Sequence, residues 1–319
     1  MSSVNIVKDT TGPSDQVVLK CGDSICGVYL FGATVFSWKP DGFDEKLWIA
    51  KQSIMDGVTP VRGGIPISFP QFAGQGTLPS HGLVRQAMWE LQSSNVNSNN
   101  NNSGDSATAV LKLCDSEVTR KSWNHSFVLL YTVTLTKLTL TVTLSIENTN
   151  NTDEFDFTAC LHTYFKTANI RNCSISGLQN LSYFDKCNQI PNNIQTDEFL
   201  VIDDSVTTLD PNNYIDRTYS NVNSDTSGSR RVSLIDSNSK GNNSQGCKVV
   251  LDISNSFINT VVWNPWVEGK KGSKGPDFDD DGYNTMVCIE PVVSTTPITL
   301  KPGDKWEGSK VMTISQVTV

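Results

Sequence analysis

Leu138-Thr139-Leu140-Thr141-Val142-Thr143-Leu144-Ser145-Ile146 alternates apolar and hydroxyl-bearing residues without a break. Strand side chains alternate faces, whereas a helix repeats every 3.6 residues, so this stretch predicts a half-buried β-strand. Residues 127–136 immediately before it are rich in aromatic and β-branched side chains and predict another strand. Shorter runs of the same kind occur at residues 17–20, 27–38, 46–50, 109–113, 248–253, 257–263 and 311–319. No segment carries a convincing helical period. Many short strands separated by turn residues predict an all-β fold, a large antiparallel β-sandwich or barrel with few short helices.

The Asn/Ser run at residues 94–104 predicts a flexible surface insertion. Similar runs at 221–229 and 236–245 bracket a strand around 230–235, and 269–281 predicts a polar loop. None of these interrupts the strand pattern for long, and no internal repeat is present. A single domain over residues 1–319 is therefore expected.

The formal net charge is −8, which argues against nucleic acid or an anionic membrane as partner. No apolar run approaches the roughly 20 residues of a transmembrane helix. Residues 1–11 are polar and do not resemble a secretion signal. The eight cysteines include no Cys-x-x-Cys pair, so free thiols and a cytoplasmic location are expected.

Two strand-like segments carry titratable groups. In residues 155–165, Phe155, Phe157, Ala159 and Leu161 share one parity, while Asp156, Thr158, Cys160, His162 and Tyr164 share the other. In residues 286–291, Val287 and Ile289 oppose Cys288 and Glu290. A base and a carboxylate on open strand faces suit proton transfer; a hydrogen-bonded structural histidine is the alternative for His162. Glu290 lies on a buried strand, where a carboxylate must be paired or functional. Pro291 lacks a donor and predicts the end of that strand.

Residues 60–72 hold three prolines and two glycines, too many for a regular element. Arg62 precedes Gly63-Gly64, and Arg85 follows thirteen residues after Phe72. Together they could clamp a phosphate or carboxylate, or each could pair with a surface carboxylate. Trp263 and Trp266 flank Asn264-Pro265 and could stack on a sugar or pack in the core. No His-x-His or His-Glu-x-x-His motif is present, so zinc has no obvious ligand set, and Gly63-Gly64 lacks the strand–helix context of a phosphate loop.

These segments, with Val61-Arg62-Gly63-Gly64-Ile65-Pro66, His81-Gly82-Leu83-Val84-Arg85, Tyr183-Phe184-Asp185-Lys186, Ile215-Asp216-Arg217-Thr218-Tyr219 and Ile289-Glu290-Pro291, resemble the hexose-6-phosphate mutarotases of the galactose mutarotase-like superfamily. They follow the family's order over nearly the whole chain. The resemblance implies a supersandwich fold with a concave active cleft, a sugar phosphate as small-molecule substrate and neither metal nor cofactor. A monomer is expected. Carried over by position, His162 is the general acid and Glu290 the general base. Arg62, Ser80, His81, Arg85 and Asp216 bind substrate; Ser80 stands where relatives often have a longer polar side chain. The alternatives are a mutarotase for free aldoses, a non-catalytic carbohydrate-binding sandwich, or a glycoside hydrolase using Asp216 with Glu290.

The implied reaction interconverts α and β anomers. Ionised Glu290 would take the C1 hydroxyl proton, and protonated His162 would give one to the ring oxygen. A bell-shaped pH profile is expected.

Overall fold

A computed structural model describes residues 2–98, 104–202, 214–220, 229–237, 246–266 and 275–317. The residues at 99–103, 221–228 and 238–245, on which most of the three predicted insertions fall, lie outside that set. Every strand ladder among the described residues is antiparallel.

The Leu138–Ile146 alternation becomes the strand Thr139–Asn148, in which Leu140, Val142, Leu144 and Ile146 are fully buried. It pairs without a slip against Phe127–Leu135 on one side and Lys305–Gln316 on the other. The rest of this nine-stranded sheet follows outward, through Ser106–Cys114 to Glu90–Asn97 at one edge and through Cys247–Ser254 and Ser229–Asp236 toward Phe199–Val201 at the other. Residues 94–97, expected in a surface insertion, instead prolong the exposed edge strand Glu90–Asn97. Their backbone bonds to Ser106–Cys114 override a polar composition that disfavours strands.

An eight-stranded sheet lies across the core, with Ile215–Ser220, Asn259–Asn264, Met286–Leu300 and Phe155–Leu161 in its middle. A smaller four-stranded sheet is built from Ser3–Val7, Gln16–Cys21, Ser24–Tyr29 and Val35–Lys39. The expected run 27–38 divides here, because the chain turns with Gly32 and Ala33 at positive φ. Residues 46–50 contribute only isolated bridges at Leu47 and Ile49. One apolar cluster joins the three sheets through residues such as Leu19 and Val35, Leu144 and Leu251, and Phe157 and Ile289. The sole α-helix among the described residues, Glu117–Ser122, is closed by a Ser116–Thr119 capping box. No helix of the described residues is long and apolar enough to cross a membrane.

Pro291 does not end its strand: Met286–Leu300 runs through it. The neighbouring ladder is interrupted at that point. Tyr164 pairs with Cys288 and Cys160 with Val292, leaving His162 and Thr163 in neither strand. A residue without a donor is tolerated where the neighbour leaves the ladder.

Candidate active site

The same interruption builds the site. Side-chain alternation continues through it, so Cys160, His162 and Tyr164 face the cleft while Leu161, Thr163 and Phe165 face the core. The backbone is pinned by His162 N–H donating to Pro66 O at 3.0 Å and Ile289 N–H donating to Thr163 O at 3.2 Å. Sequence parity placed His162 and Glu290 on open faces, and the structure makes their strands direct neighbours. His162 Nδ1 stands 3.4 Å from Glu290 Oε1, within ion-pair range though not aligned as a hydrogen bond. Glu290 Oε2 accepts a bond from the Cys160 thiol at 3.2 Å. The His162 ring stacks on Tyr164 with centroids 4.6 Å apart and meets Trp263 and His81 edge-on.

Burial pushes the Glu290 carboxyl up to about 8, against a bond from Cys160 that lowers it. Burial holds His162 well below its ordinary value, and the positive surroundings of His81, Arg85, Arg62 and Lys186 add to this. Both shifts favour the proton on the Glu290 carboxyl over the His162 ring. The ionised Glu290 and protonated His162 expected from sequence describe the opposite distribution of the same proton.

The Gly63-Gly64 turn sets Arg62 in place. Both glycines have positive φ, and a Cβ on either would collide with backbone, at Trp48 O or Val35 O. The Arg62 guanidinium makes a two-pronged bond to Asp277, Nε to Oδ2 at 3.1 Å and Nη2 to Oδ1 at 3.0 Å. Arg85 Nη2 donates to the carbonyl of Ser80 at 2.7 Å, while its buried Nε has no partner among the described residues. Ser80 is thus tied to Arg85 through its backbone, and its exposed side chain is at the rim of the cavity. Burial and the charge of Arg62 both disfavour the Arg85 cation, an electrostatic debit that an anion would relieve.

His81 sits in the left-handed region at φ 65°. Its Nδ1 accepts from Ala73 N–H at 3.4 Å and lies 3.0 Å from the Ser68 hydroxyl, which assigns the ring proton to Nε2. Burial, then Arg85, Arg62 and Lys186, lower it to about 3, so it serves as a neutral donor. Asp216, pushed up by burial but drawn down by Lys186, has its Oδ1 3.2 Å from Lys186 Nζ. The Lys186 ammonium also lies over the Phe72 ring at 5.3 Å.

These groups line two adjoining cavities that share Arg62, His162 and Tyr164. One, of 250 Å³, holds Arg85 and Asp277; the other, of 330 Å³, holds His81, Lys186, Asp216, Trp263 and Glu290. A larger cavity of 510 Å³ beside Trp123 has Asp156 as the one acid–base group of its lining, with no histidine or arginine beside it, so the smaller pair is the candidate site. The two tryptophans of the Asn-Pro segment divide between functions. Trp263 lines the cleft, whereas Trp266 is buried against Tyr283 and Arg171.

His162, Cys288 and Glu290 bring a nitrogen, a sulfur and a carboxylate oxygen within 4.8 Å of one another. Both Glu290 oxygens already face Cys160 or His162, and burial raises the Cys288 thiol well above its usual value. All eight cysteines are free.

Sequence reading missed Asp277, hidden in a polar loop, and set Cys160 on the parity of His162 without giving it a role. It quoted Lys186 within a motif without giving it a role. A charged residue beside an aromatic in Tyr183-Phe184-Asp185-Lys186 was the available signal.

The family model described as aldose 1-epimerase matches residues 15–313. A protein of Cenchrus ciliaris assigned as a glucose-6-phosphate 1-epimerase is 31% identical over 306 residues, covering 95% of this chain and 85% of its own length. A Salmonella typhimurium protein with the same assignment is 32% identical over 279 residues, covering 84% and 79%. The crystal structure of a Salmonella typhimurium protein assigned as a mutarotase superposes with a TM-score of 0.77 at 28% identity, over 98% of this chain and 97% of that one.

Proposed function

Because the chain belongs to the aldose 1-epimerase family, we propose that it interconverts the α and β anomers of a hexose 6-phosphate, glucose 6-phosphate being the first substrate to test. The observation that carries this reading is the buried His162–Glu290 pair beside a cavity lined by two arginines.

The 6-phosphate occupies the Arg62–Arg85 cavity, and the pyranose lies in the adjoining one against Trp263 and Phe72. Lys186, Asp216 and the His81 Nε2–H offer hydrogen bonds to ring hydroxyls. Arg62 and Arg85 are among the charges that keep His162 neutral. A bound phosphate dianion offsets them and moves the shared proton from Glu290 toward His162. Glu290 then accepts the proton of the C1 hydroxyl while His162 donates one to the ring oxygen. The C1–O5 bond breaks as the C1 carbonyl forms. Rotation about C1–C2 presents the other carbonyl face, and on closure Glu290 gives its proton to the C1 oxygen while His162 takes back the proton from O5. Phosphate binding remote from C1 thus contributes orientation and sets the protonation state.

A free aldose is the second reading, and the Asp277 contact favours it, because Arg62 already has a carboxylate partner. Magnetisation-exchange NMR between anomers tests both, using glucose 6-phosphate, glucose and galactose. Faster exchange of the phosphorylated sugar alone supports the proposal. Acceleration confined to free sugars moves the assignment to the second reading, and no acceleration of any sugar overturns both.

A further inference from the structure

Among the described residues, Lys310 is the one lysine whose side chain stands at an inward position of the nine-stranded sheet with no exposed surface. It shares the buried parity of Lys305–Gln316 with Gly308, Met312 and Ile314, and its cross-strand partners Val142 and Ile253 are fully buried. A lysine there exchanges hydration for an apolar interior, a cost that is large unless the ammonium finds specific partners. Its Nζ contacts Thr163 Oγ1, and Thr163 Oγ1 in turn donates to Leu161 O at 2.9 Å. Thr163 and Leu161 flank His162 and face the core from the same interrupted segment. The ammonium thus crosses from one sheet to the underside of the backbone that carries the acid–base pair on its other face.

We infer that Lys310 is a positioning residue for the acid–base pair: through Thr163 it braces the His162 segment, and its positive charge favours the carboxylate form of Glu290. The inference rests on the reading of Glu290 as the base. The titratable groups that act electrostatically on Lys310 are Cys160, Glu290 and Cys288, which project from the other face of the eight-stranded sheet. Those facing Glu290 are Cys160, Lys186, Asp216, Lys310, His162 and Cys288. Lys310 therefore opposes the burial that protonates Glu290, in company with Lys186 and against Asp216. Burial in turn pushes Lys310 down, and Cys160, Glu290 and Cys288 pull it back up.

The test is Lys310→Met, which keeps an unbranched side chain one atom shorter and removes its charge. The Glu290 carboxyl is followed by ¹³C NMR titration of the intact enzyme, assigned with Glu290→Gln, and the exchange rate of glucose 6-phosphate anomers is measured across pH. The expected result is an upward shift of about one pH unit in the Glu290 midpoint, with the acid limb of the rate moving alongside it, roughly tenfold slower on that limb. An unmoved midpoint overturns the inference, whatever happens to melting temperature, because a structural lysine alters stability without altering that titration. A midpoint that moves while the rate profile stays fixed upholds the coupling and removes Glu290 as the base. Should Lys310→Met not fold, the reciprocal measurement applies. Coupling requires the Lys310 ¹⁵Nζ midpoint to fall in Glu290→Gln by the amount that Lys310 lowers Glu290, and no fall overturns the inference.

Discussion

The two large sheets treat the same backbone in opposite ways. In the nine-stranded sheet Thr139–Asn148 pairs without a slip on both sides, and every second residue is buried. In the eight-stranded sheet Phe155–Leu161 carries a bulge between Phe157 and Ala159, the ladder lapses at His162–Thr163, and Glu290 is buried among thiols. Regular pairing of Thr139–Asn148 satisfies the backbone and turns Leu140, Val142, Leu144 and Ile146 inward. An interruption frees a backbone segment to aim side chains, and polar residues then enter the interior. One sheet supplies stability that the other spends on a site.

The largest contrast follows from exchanging a single residue in each. Glu290→Gln should lower anomer exchange at least ~10³-fold, since it removes the proton acceptor at constant shape. Leu144→Ala, in the regular sheet, should leave the rate per folded molecule unchanged while costing about 2–5 kcal/mol of stability. Exchange NMR and denaturant melts on both variants separate the two roles. A rate loss in Leu144→Ala beyond its unfolded fraction would show that the sheets are not so divided.

Next in size is the dependence of stability on pH. The Glu290 carboxyl stands at about 8 in the folded chain against an ordinary 4.5. Between those values the folded chain holds a proton that the unfolded chain has released, so the contribution of this group to stability falls as pH rises. Glutamine does not ionise. Glu290→Gln should therefore gain stability over the parent through the window from 4.5 to 8, level off above it, and differ by on the order of a few kcal/mol at the top. A difference that is flat across that window would refute the burial argument.

These expectations also bear on what could be read from the chain. Period-two alternation exposed the nine-stranded sheet because burial there depends on side-chain parity alone. The same parity set His162 and Glu290 on one kind of face. It could not bring their strands together, since pairing partners are chosen by topology. Pro291 misled because a proline's cost depends on whether its neighbour offers an acceptor, and at His162–Thr163 the neighbouring ladder lapses. Lys310 was invisible for a related reason. A lone lysine in a strand ordinarily marks a solvent face, and only the opposite sheet reveals Thr163 waiting for it. Asp277 and Lys186 acquire meaning from contacts across long sequence separations.

Arg85→Ala should have an intermediate effect. With an unpartnered Nε and no carboxylate partner among the described residues, Arg85 is more available to an anion than Arg62. Its removal should raise KM for glucose 6-phosphate by about 10–100-fold, the range of one or two charge-assisted hydrogen bonds, and leave a free aldose unaffected. Equal losses on both sugars would make Arg85 a structural residue.

The smallest expected effect lies in the bond from the Cys160 thiol to Glu290. A donor to the ionised carboxylate stabilises that form, and Cys160 is the foremost group opposing the burial that protonates Glu290. Cys160→Ala deletes the donor, so the acid limb of the rate should move to higher pH by a few tenths of a unit. Cys160→Ser retains a donor and makes it stronger, because a hydroxyl bonds a carboxylate at shorter range than a thiol. The limb should then move to lower pH. The two substitutions remove the same sulfur from a pocket shared with Phe72, Val261 and Val292, so both lose packing there. Shifts of opposite sign would show that the thiol acts through its proton. Shifts of the same sign would assign the effect to packing, and Cys160 would then belong with the regular sheet's buried residues rather than with the site.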